Sequence, residues 1–446
     1  MSMNKSIRMY ALLSLTAGLL SACGDSDYTP PAAPSGPAGK IVQGPVVGAI
    51  VYADDISGTG TRLSRDAAEI YTTTDANGNF QLPTTPTYRH VLVSEGGKDK
   101  ITGQDAIQMI APAGSKNVTP LTTLVALDTT GTVKAKLETL NNGAAFDSDI
   151  SASATPAALM LAKSVETIVQ SITATIQSKS TAVTSAQLES VQTQTLQAIS
   201  ATVSSASTAT LSTPSLLNTT MTTAVTTAIS SINSSNSNIT LQAAQATTIA
   251  TNAVTAAVTV TGTGASVTSA TPVPTTGSVV EATAVTPTTF TNAVSTTATA
   301  VATTTTATAT PTTYTPPTIT VVEFPAVTAV TPANGTTSTA GTAISATFSL
   351  AMDSASVTNP ANWTVKAGTT TISGSVSYNA TSKVATFTPA SPIAAGTTVT
   401  VTIKKGVLIS GSTTIGLVND QTWSFTTAQA TTPTTGSTGG SGGTGF

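Results

Sequence analysis

One cysteine, one histidine and two tryptophans in 446 residues leave this chain short of the side chains that staple folds or carry out most chemistry. A lone cysteine forms no intramolecular disulfide, so each domain depends on its own core. The lone histidine, His90, follows Arg89 and has no second His or Cys with which to share a metal or build a nucleophile–base pair. It reads as a strand residue. Charged residues are 8% of the chain, against about 25% in ordinary domains. With 17 basic and 20 acidic residues and a formal net charge of −3, there is no basic footprint for nucleic acid and no acidic tail. Aromatics are only 4%, and none lies between Phe146 and Phe290. Between Glu189 and Glu323 the only charge is Glu281. No apolar run approaches the roughly 20 residues of a membrane-spanning helix.

The cysteine itself is well placed. Lys5 and Arg8 precede a short apolar run, Tyr10 to Leu20, of the length of a secretory h-region. The segment Leu20-Ser21-Ala22-Cys23 then resembles the lipobox of bacterial lipoproteins. That resemblance implies a signal peptide over 1–22, cleavage before Cys23, and acylation (palmitate-type chains) of its thiol and new N-terminus. Buried acyl methylenes contribute about 0.8 kcal/mol each, so several chains anchor stably. Gly24 stands where some relatives retained in the inner membrane carry Asp, which favours the outer membrane and, by expectation, the cell surface. The membrane is thus the first expected partner.

After a lipidated flexible linker (23–39), residues 40–112 read as β-structure. "AEIYTTTDANGNFQLP" (68–83) places two extended runs around Asp75-Ala76-Asn77-Gly78-Asn79, a hairpin signal because Asn-Gly accepts positive φ. Together "GPVVGAIVYAD…TTTDANGNFQLP…VLVSEGG" resembles the carboxypeptidase-regulatory-like, prealbumin-type β-sandwich of bacterial surface proteins. The resemblance implies a spacer or binding module.

Residues 113–259 read as helical. Thr119-Pro120, Thr155-Pro156 and Thr213-Pro214 each supply an N-cap and a first-turn proline. A short helix is expected near 132–141. Leu161, Val165, Ile168, Ile172 and Ile176 recur at spacings of three and four, as do Leu217, Met221, Val225, Ile229 and Ile232. Leu188, Val191, Ile199 and Val203 repeat the pattern with a gap, and 241–258 is weaker. Such stripes predict amphipathic helices, here a slender Ser/Thr/Ala-rich bundle. A partly disordered Ser/Thr tract is the alternative reading.

From 260 to 318 the Thr/Ala/Pro-rich sequence reads as a disordered linker or stalk. Residues 319–428 alternate cleanly: Ile344, Ala346, Phe348 and Leu350 on one face, Ile372, Val376 and Tyr378 on another, Val399, Val401 and Ile403 on a third. Seven short strands with turns at Asn334-Gly335 and 379–383 predict an Ig-like sandwich, with Trp363 and Trp423 as core anchors whose indole N–H groups need acceptors. The pattern "VTPANG…ISATFSLAMDSASV…VATFTPASPIAAGTTVTVTI…TWSFTT" resembles the SbsA-type bacterial Ig-like domain of S-layer proteins. A disordered Gly/Ser/Thr-rich tail follows (429–446). The predicted fold class is therefore multi-domain and mixed.

No catalytic arrangement emerges. "GGSGG" (439–443) matches G-x-S-x-G only literally, without the strand–turn–helix that motif requires. Phe446 resembles the end of an outer-membrane barrel, without an alternating strand before it. The "DANGN" stretch departs from an EF-hand at Phe80 and Pro86. Asp54, Asp55, Asp66 and Glu69 with Asp75 allow at most a weak calcium site. Lys404-Lys405 reads as a solvated strand end. The expectation is a protein without cofactor or enzymatic activity: a lipid-anchored surface structural or adhesive protein presenting its Ig-like domain on a stalk to protein or glycan partners. The alternative is a periplasm-facing accessory lipoprotein that binds glycan or calcium.

Overall fold

A computed structural model describes residues 34–57, 62–179, 183–236, 239–262, 265–273, 287–303, 305–307, 319–339 and 342–429. All belong to the second of two units into which the chain divides, Pro34–Phe446. Cys23, the signal peptide 1–22, most of the linker 23–39, and residues 430–446 lie outside the described residues.

The first third contains β1 (Ala38–Ile41), β2 (Val46–Val47), β3 (Ile50–Asp55), β4 (Tyr71–Thr73), β5 (Asn79–Gln81), β6 (His90–Glu95), β7 (Lys98–Asp99), β8 (Met109–Pro112) and β9 (Asn117–Val118). They form an antiparallel sheet in the order β4-β3-β6-β8, a second sheet β5-β1-β9 with β1 parallel to β9, and a short β2-β7 ladder. The DANGN turn forms as expected. Asp75 Oδ1 accepts from the Asn77 and Asn79 N–H groups at 2.8 and 2.9 Å, and Gly78 has φ +78°. Its arms do not make a hairpin, however. β4 pairs with β3, and β5 pairs with β1 in the other sheet. The turn is a corner between sheets. A side chain at Gly78 would meet the Ile41 carbonyl and the Val46 nitrogen at 3.0 Å, so the corner requires glycine.

The helices are α1 (Pro120–Ala126), α2 (Val133–Leu140), α3 (Pro156–Lys179), α4 (Ser185–Ser205), α5 (Thr208–Ser212), α6 (Pro214–Ser235), α7 (Gln245–Thr261) and α8 (Pro287–Ala302). A two-strand ladder joins β10 (Ile239–Thr240) to β11 (Thr306–Ala307). Thr119 caps α1 through the Thr122 N–H at 3.1 Å, and Thr155 accepts from Ala158 N–H at 3.2 Å. Thr213 sits at the α6 N-cap but makes no side-chain cap bond; its hydroxyl donates to the Ala209 carbonyl instead.

α3 is packed through small residues, as a Ser/Thr/Ala-rich bundle requires, but is buried on more sides than its narrow apolar stripe predicts. Every residue from Pro156 to Thr173 is buried, with α1, α4, α5, α7 and α8 packed around it. Ala157, Ala158, Ala162 and Ser164 let the neighbours come close. The buried hydroxyls mostly bond back to carbonyls one turn earlier, as Ser164 to Met160 (2.7 Å) and Thr175 to Ser171 (2.7 Å), although Thr167 and Ser171 hydroxyls have no protein partner. Within the expected linker 260–318, α8 adds a helix with Phe290 and Val301 buried against α3. Val294 and Ala298 of the same helix are buried as well, so Phe290, Val294, Ala298 and Val301 form one stripe at spacings of four, four and three. One apolar core runs from Ile41 through α8 to Phe324, so the first sheets and the helices do not have separate interiors.

A buried polar group ties α3 to the first strands. Lys163 and Glu166 pair at 3.1 Å and are almost wholly buried. Lys163 Nζ also donates to the Gln43 carbonyl, while Gln43 Nε2 donates to Glu166 Oε1 at 3.2 Å. The Phe290 ring of α8 lies 5.3 Å from the ammonium.

The last third is a two-sheet sandwich with its own core. It comprises β12 (Val327–Thr331), β13 (Thr337–Ser338), β14 (Ile344–Phe348), α9 (Ser354–Thr358), β15 (Trp363–Ala367), β16 (Thr370–Thr371), β17 (Gly374–Asn379), β18 (Val384–Pro389), β19 (Thr398–Ile403) and β20 (Gln421–Thr427). The sheets run β12-β14-β18-β17 and β13-β20-β19-β15-β16. The expected seven strands are joined by two-residue edge pieces. Ile344, Ala346, Phe348, Val399, Val401 and Ile403 face the interior as their alternation predicts. Leu350 lies beyond β14 and is only half-buried. Trp363 stacks on Phe387 and donates its indole N–H to the Val357 carbonyl at 2.9 Å. The Trp423 indole N–H is buried without a protein acceptor.

Candidate functional site

The sandwich is not carried away from the rest of the unit on a stalk, as the sequence led us to expect. It docks. Entering it, Val322 donates its N–H to the Ala126 carbonyl at 2.7 Å, and Val322 and Phe324 are buried in the first core. The loop before β20 makes the second attachment. Val418 is 2% exposed and belongs to the first core, and Ile415 packs against it. Asn419 Nδ2 donates to Gly114 O at 3.0 Å and to Asp147 Oδ2 at 2.8 Å. Gly131 (φ +70°) lets this loop approach, since a Cβ there would meet Thr414 Oγ1 at 2.5 Å. Lys405 reaches Glu138 at 3.1 Å, which Lys134 also contacts at 3.2 Å. Lys404 pairs with Asp420 at 2.7 Å. The two lysines expected at a solvated strand end thus both make ion pairs, one of them across the junction.

Beside these contacts lies a cleft of about 530 Å³, walled by Arg89, His90, Lys116, Glu323, Asn419 and Thr422 among others. Arg89 Nε meets Glu323 at 2.5 Å. Burial raises the Glu323 carboxyl and the Arg89 charge opposes that rise. His90 begins β6 and places Nδ1 3.1 Å from the Tyr88 carbonyl. A carbonyl can only accept, so Nδ1 carries the proton. Burial pulls the His90 pKa below its ordinary value, which keeps the ring neutral at pH 7. The Ser115 hydroxyl on the wall is buried without a protein partner. The cleft thus offers neutral hydrogen-bonding groups, the Arg89–Glu323 pair and the Lys116 side chain, a surface suited to a polar ligand.

The five carboxylates singled out for calcium do not form one site. Asp75 remains in its own turn, where the Asn79 amide and turn N–H groups hold its carboxyl below the usual range. Asp55 caps its own bend at Ser57. Asp54 and Glu69 turn inward instead: Asp54 Oδ1 accepts from the Leu63 N–H at 3.0 Å, and Glu69 Oε1 and Oε2 accept from the Asp55 and Asp66 N–H groups at 2.8 and 2.9 Å. They share their surroundings with Tyr52, Glu95 and Glu189, which the sequence reading passed over. Alternation in "IVYADD" (50–55) could have flagged Tyr52 and Asp54 as one face, but Glu189 lies on α4, and only packing brings it there. Asp147 and Asn419 at the junction carried no sequence signal.

Residues 321–427 match the bacterial Ig-like domain family, and this agrees with the sandwich expected at 319–428. No curated protein matches the chain. Among solved structures, PcoC, a methionine-rich copper resistance protein from Escherichia coli, is similar at 15% identity over 23% of this chain and 98% of that one, with a TM-score of 0.19. Domains 1–6 of the surface layer protein SbsC match at 18% identity over 32% of this chain and 16% of that one (TM-score 0.20). The LD transpeptidase LdtMt1, in complex with imipenem, matches at 19% identity over 23% and 40% (TM-score 0.17). Likenesses this partial carry no argument about activity.

Proposed function

We propose that the chain is a non-catalytic, lipid-anchored structural or adhesive protein of the cell surface that presents a bacterial Ig-like sandwich. The observation that carries this reading is the family match over 321–427 together with a closed, self-sufficient sandwich core at the same residues. Cys23 in its lipobox-like setting supplies the membrane partner, and low charge with few lysines suits an exposed, protease-resistant surface. The partners expected are proteins or glycans of neighbouring surfaces. Docking gives the sandwich a fixed seat through Val418 and Asn419, so it would be displayed as part of a rigid body.

Surface labelling tests this. Antibody against 319–428, added to intact cells expressing the wild-type chain or Cys23→Ala, binds the wild type and loses its cell association in the variant. Binding only after permeabilisation of the outer membrane would overturn the surface placement. A periplasm-facing accessory role is the second reading, favoured by the 530 Å³ cleft, whose wall sets the neutral His90 ring and the Ser115 hydroxyl beside the Arg89–Glu323 ion pair.

A further inference from the structure

The cleft beside the junction takes its walls from two parts of the unit. Arg89, His90 and Lys116 belong to the first third, the last of them in the loop between β8 and β9. Thr328 of β12 and Thr422 of β20 belong to the sandwich. The space of about 530 Å³ falls within the usual range of ligand sites, about 300–1,000 Å³. The Val418 and Asn419 contacts hold the two walls together.

Positive charge is in surplus here. The two acidic side chains of the lining each have a cation: Asp420 has Lys404 at 2.7 Å, and Glu323 has Arg89 at 2.5 Å. Lys116 is exposed, and among the described residues its ammonium has no hydrogen-bond or ion-pair partner. Only its backbone N–H is engaged, by Asp147 at 2.7 Å. Lys383 brings another ammonium to the Ser349 carbonyl of the lining, at 2.8 Å. Arg89 meets Glu323 through Nε alone. Its two terminal nitrogens make no hydrogen bond among the described residues, on a side chain 45% exposed. A cationic cleft stands out in a chain whose formal net charge is −3.

The rest of the lining suits hydroxyl groups. His90 gives its Nδ1 proton to the Tyr88 carbonyl, so Nε2 keeps a lone pair that accepts from a hydroxyl. Thr328 donates to the Thr347 carbonyl at 3.2 Å, which leaves its exposed oxygen as an acceptor. The Tyr88 hydroxyl donates to the Ala53 carbonyl and accepts from the Ile70 N–H, both at 3.1 Å. These bonds fix its ring as an apolar wall for the carbon face of a sugar. We propose that the cleft binds a carboxylate-bearing oligosaccharide, with carboxylates on Lys116 and the Arg89 terminal nitrogens and hydroxyls on His90 and Thr328. Charge-assisted bonds of this kind are the strong ones. Because the walls belong to both parts of the unit, the bound sugar chain also fastens the sandwich in its seat. This binding rests on the ligand-binding reading of the cleft and holds on either face of the outer membrane.

Calorimetric titration of the full chain in detergent micelles tests this, with trigalacturonate as the probe. Its methyl ester keeps the hydroxyls without the charge, and acetate keeps the charge without the sugar. Trigalacturonate binds, the ester binds about tenfold more weakly, and acetate gives no heat at the same concentrations. Lys116→Met, exposed and outside both cores, weakens trigalacturonate about tenfold. Lys366→Met, at an exposed lysine of β15 outside the cleft, leaves it unchanged. Val418→Asp, checked for folding by circular dichroism, loosens the seat and weakens binding as well. Equal binding of acid and ester, or undiminished binding in Lys116→Met, would overturn the carboxylate assignment. Undiminished binding in Val418→Asp would overturn the two-walled site. No heat from trigalacturonate or its ester would overturn the proposal outright, while the antibody labelling decides the surface placement separately.

Discussion

Asp54 shows how burial sets the behaviour of a single group. Loss of water, and next the Glu69 charge, push its carboxyl from 3.8 up to about 7. The folded state therefore holds this proton more tightly than the unfolded chain does. Its contribution to stability is complete below pH 4, declines as pH rises through the window from 4 to 7, and is level above. Asp54→Asn imitates the protonated form. It should be more stable than the parent at pH 8, by an amount on the order of a few kcal/mol at about 1.4 kcal/mol per pKa unit, and nearly equal at pH 4. Urea midpoints at the two pH values measure this, and an equal difference at both would refute it. Leu63 is the other unusual residue of this site. Its φ of +59° is rare for a bulky side chain, and Asp54 and Gln108 hold its N–H and carbonyl.

At the scale of elements, α3 is the axis of the helical region, and the Lys163–Glu166 pair keys it to the first strands through Gln43. Ion pairs this deep cost nearly as much to desolvate as they return, yet breaking one side is expensive. Lys163→Met alone should destabilise the fold by about 3–5 kcal/mol, since it leaves the Glu166 carboxylate buried without that ammonium. Lys163→Met with Glu166→Leu should recover most of the loss. Paired denaturant curves read the difference, and a double variant no better than the single would show that the pair contributes net stability. The apolar stripes of α3, α4 and α6 were legible because 3.6-residue periodicity survives even in Ser/Thr-rich sequence. The full burial of α3 was not, because small residues carry no hydropathy signal on the sides they open to neighbours.

For the whole molecule, the seat of the sandwich rests on few contacts: Val418, Asn419–Asp147, Lys405–Glu138 and the Val322 N–H. Contacts of this size within a chain resemble transient interfaces. Val418→Asp combined with Asn419→Ala should free the sandwich while its own core, which includes neither residue, stays folded. Small-angle scattering should then report a larger radius of gyration, with the near-ultraviolet signal of Trp363 and Trp423 retained. An unchanged radius would place the docking energy elsewhere, in the Val322–Phe324 entry segment.

The sequence by itself determined the local events. Strand alternation, proline-capped helix starts, the Asn-Gly turns and the Ig-like pattern of 319–428 depend on neighbours within a few residues, and each can be read from that window. Tertiary structure decided the rest. It sent the two arms of the DANGN turn into different sheets, recruited α8 from a linker, folded the sandwich back onto Asp147, and brought Glu189 of α4 over Tyr52. These outcomes depend on which surfaces meet across tens to hundreds of residues. In a chain of small, uncharged side chains, almost nothing along the sequence marks such surfaces in advance.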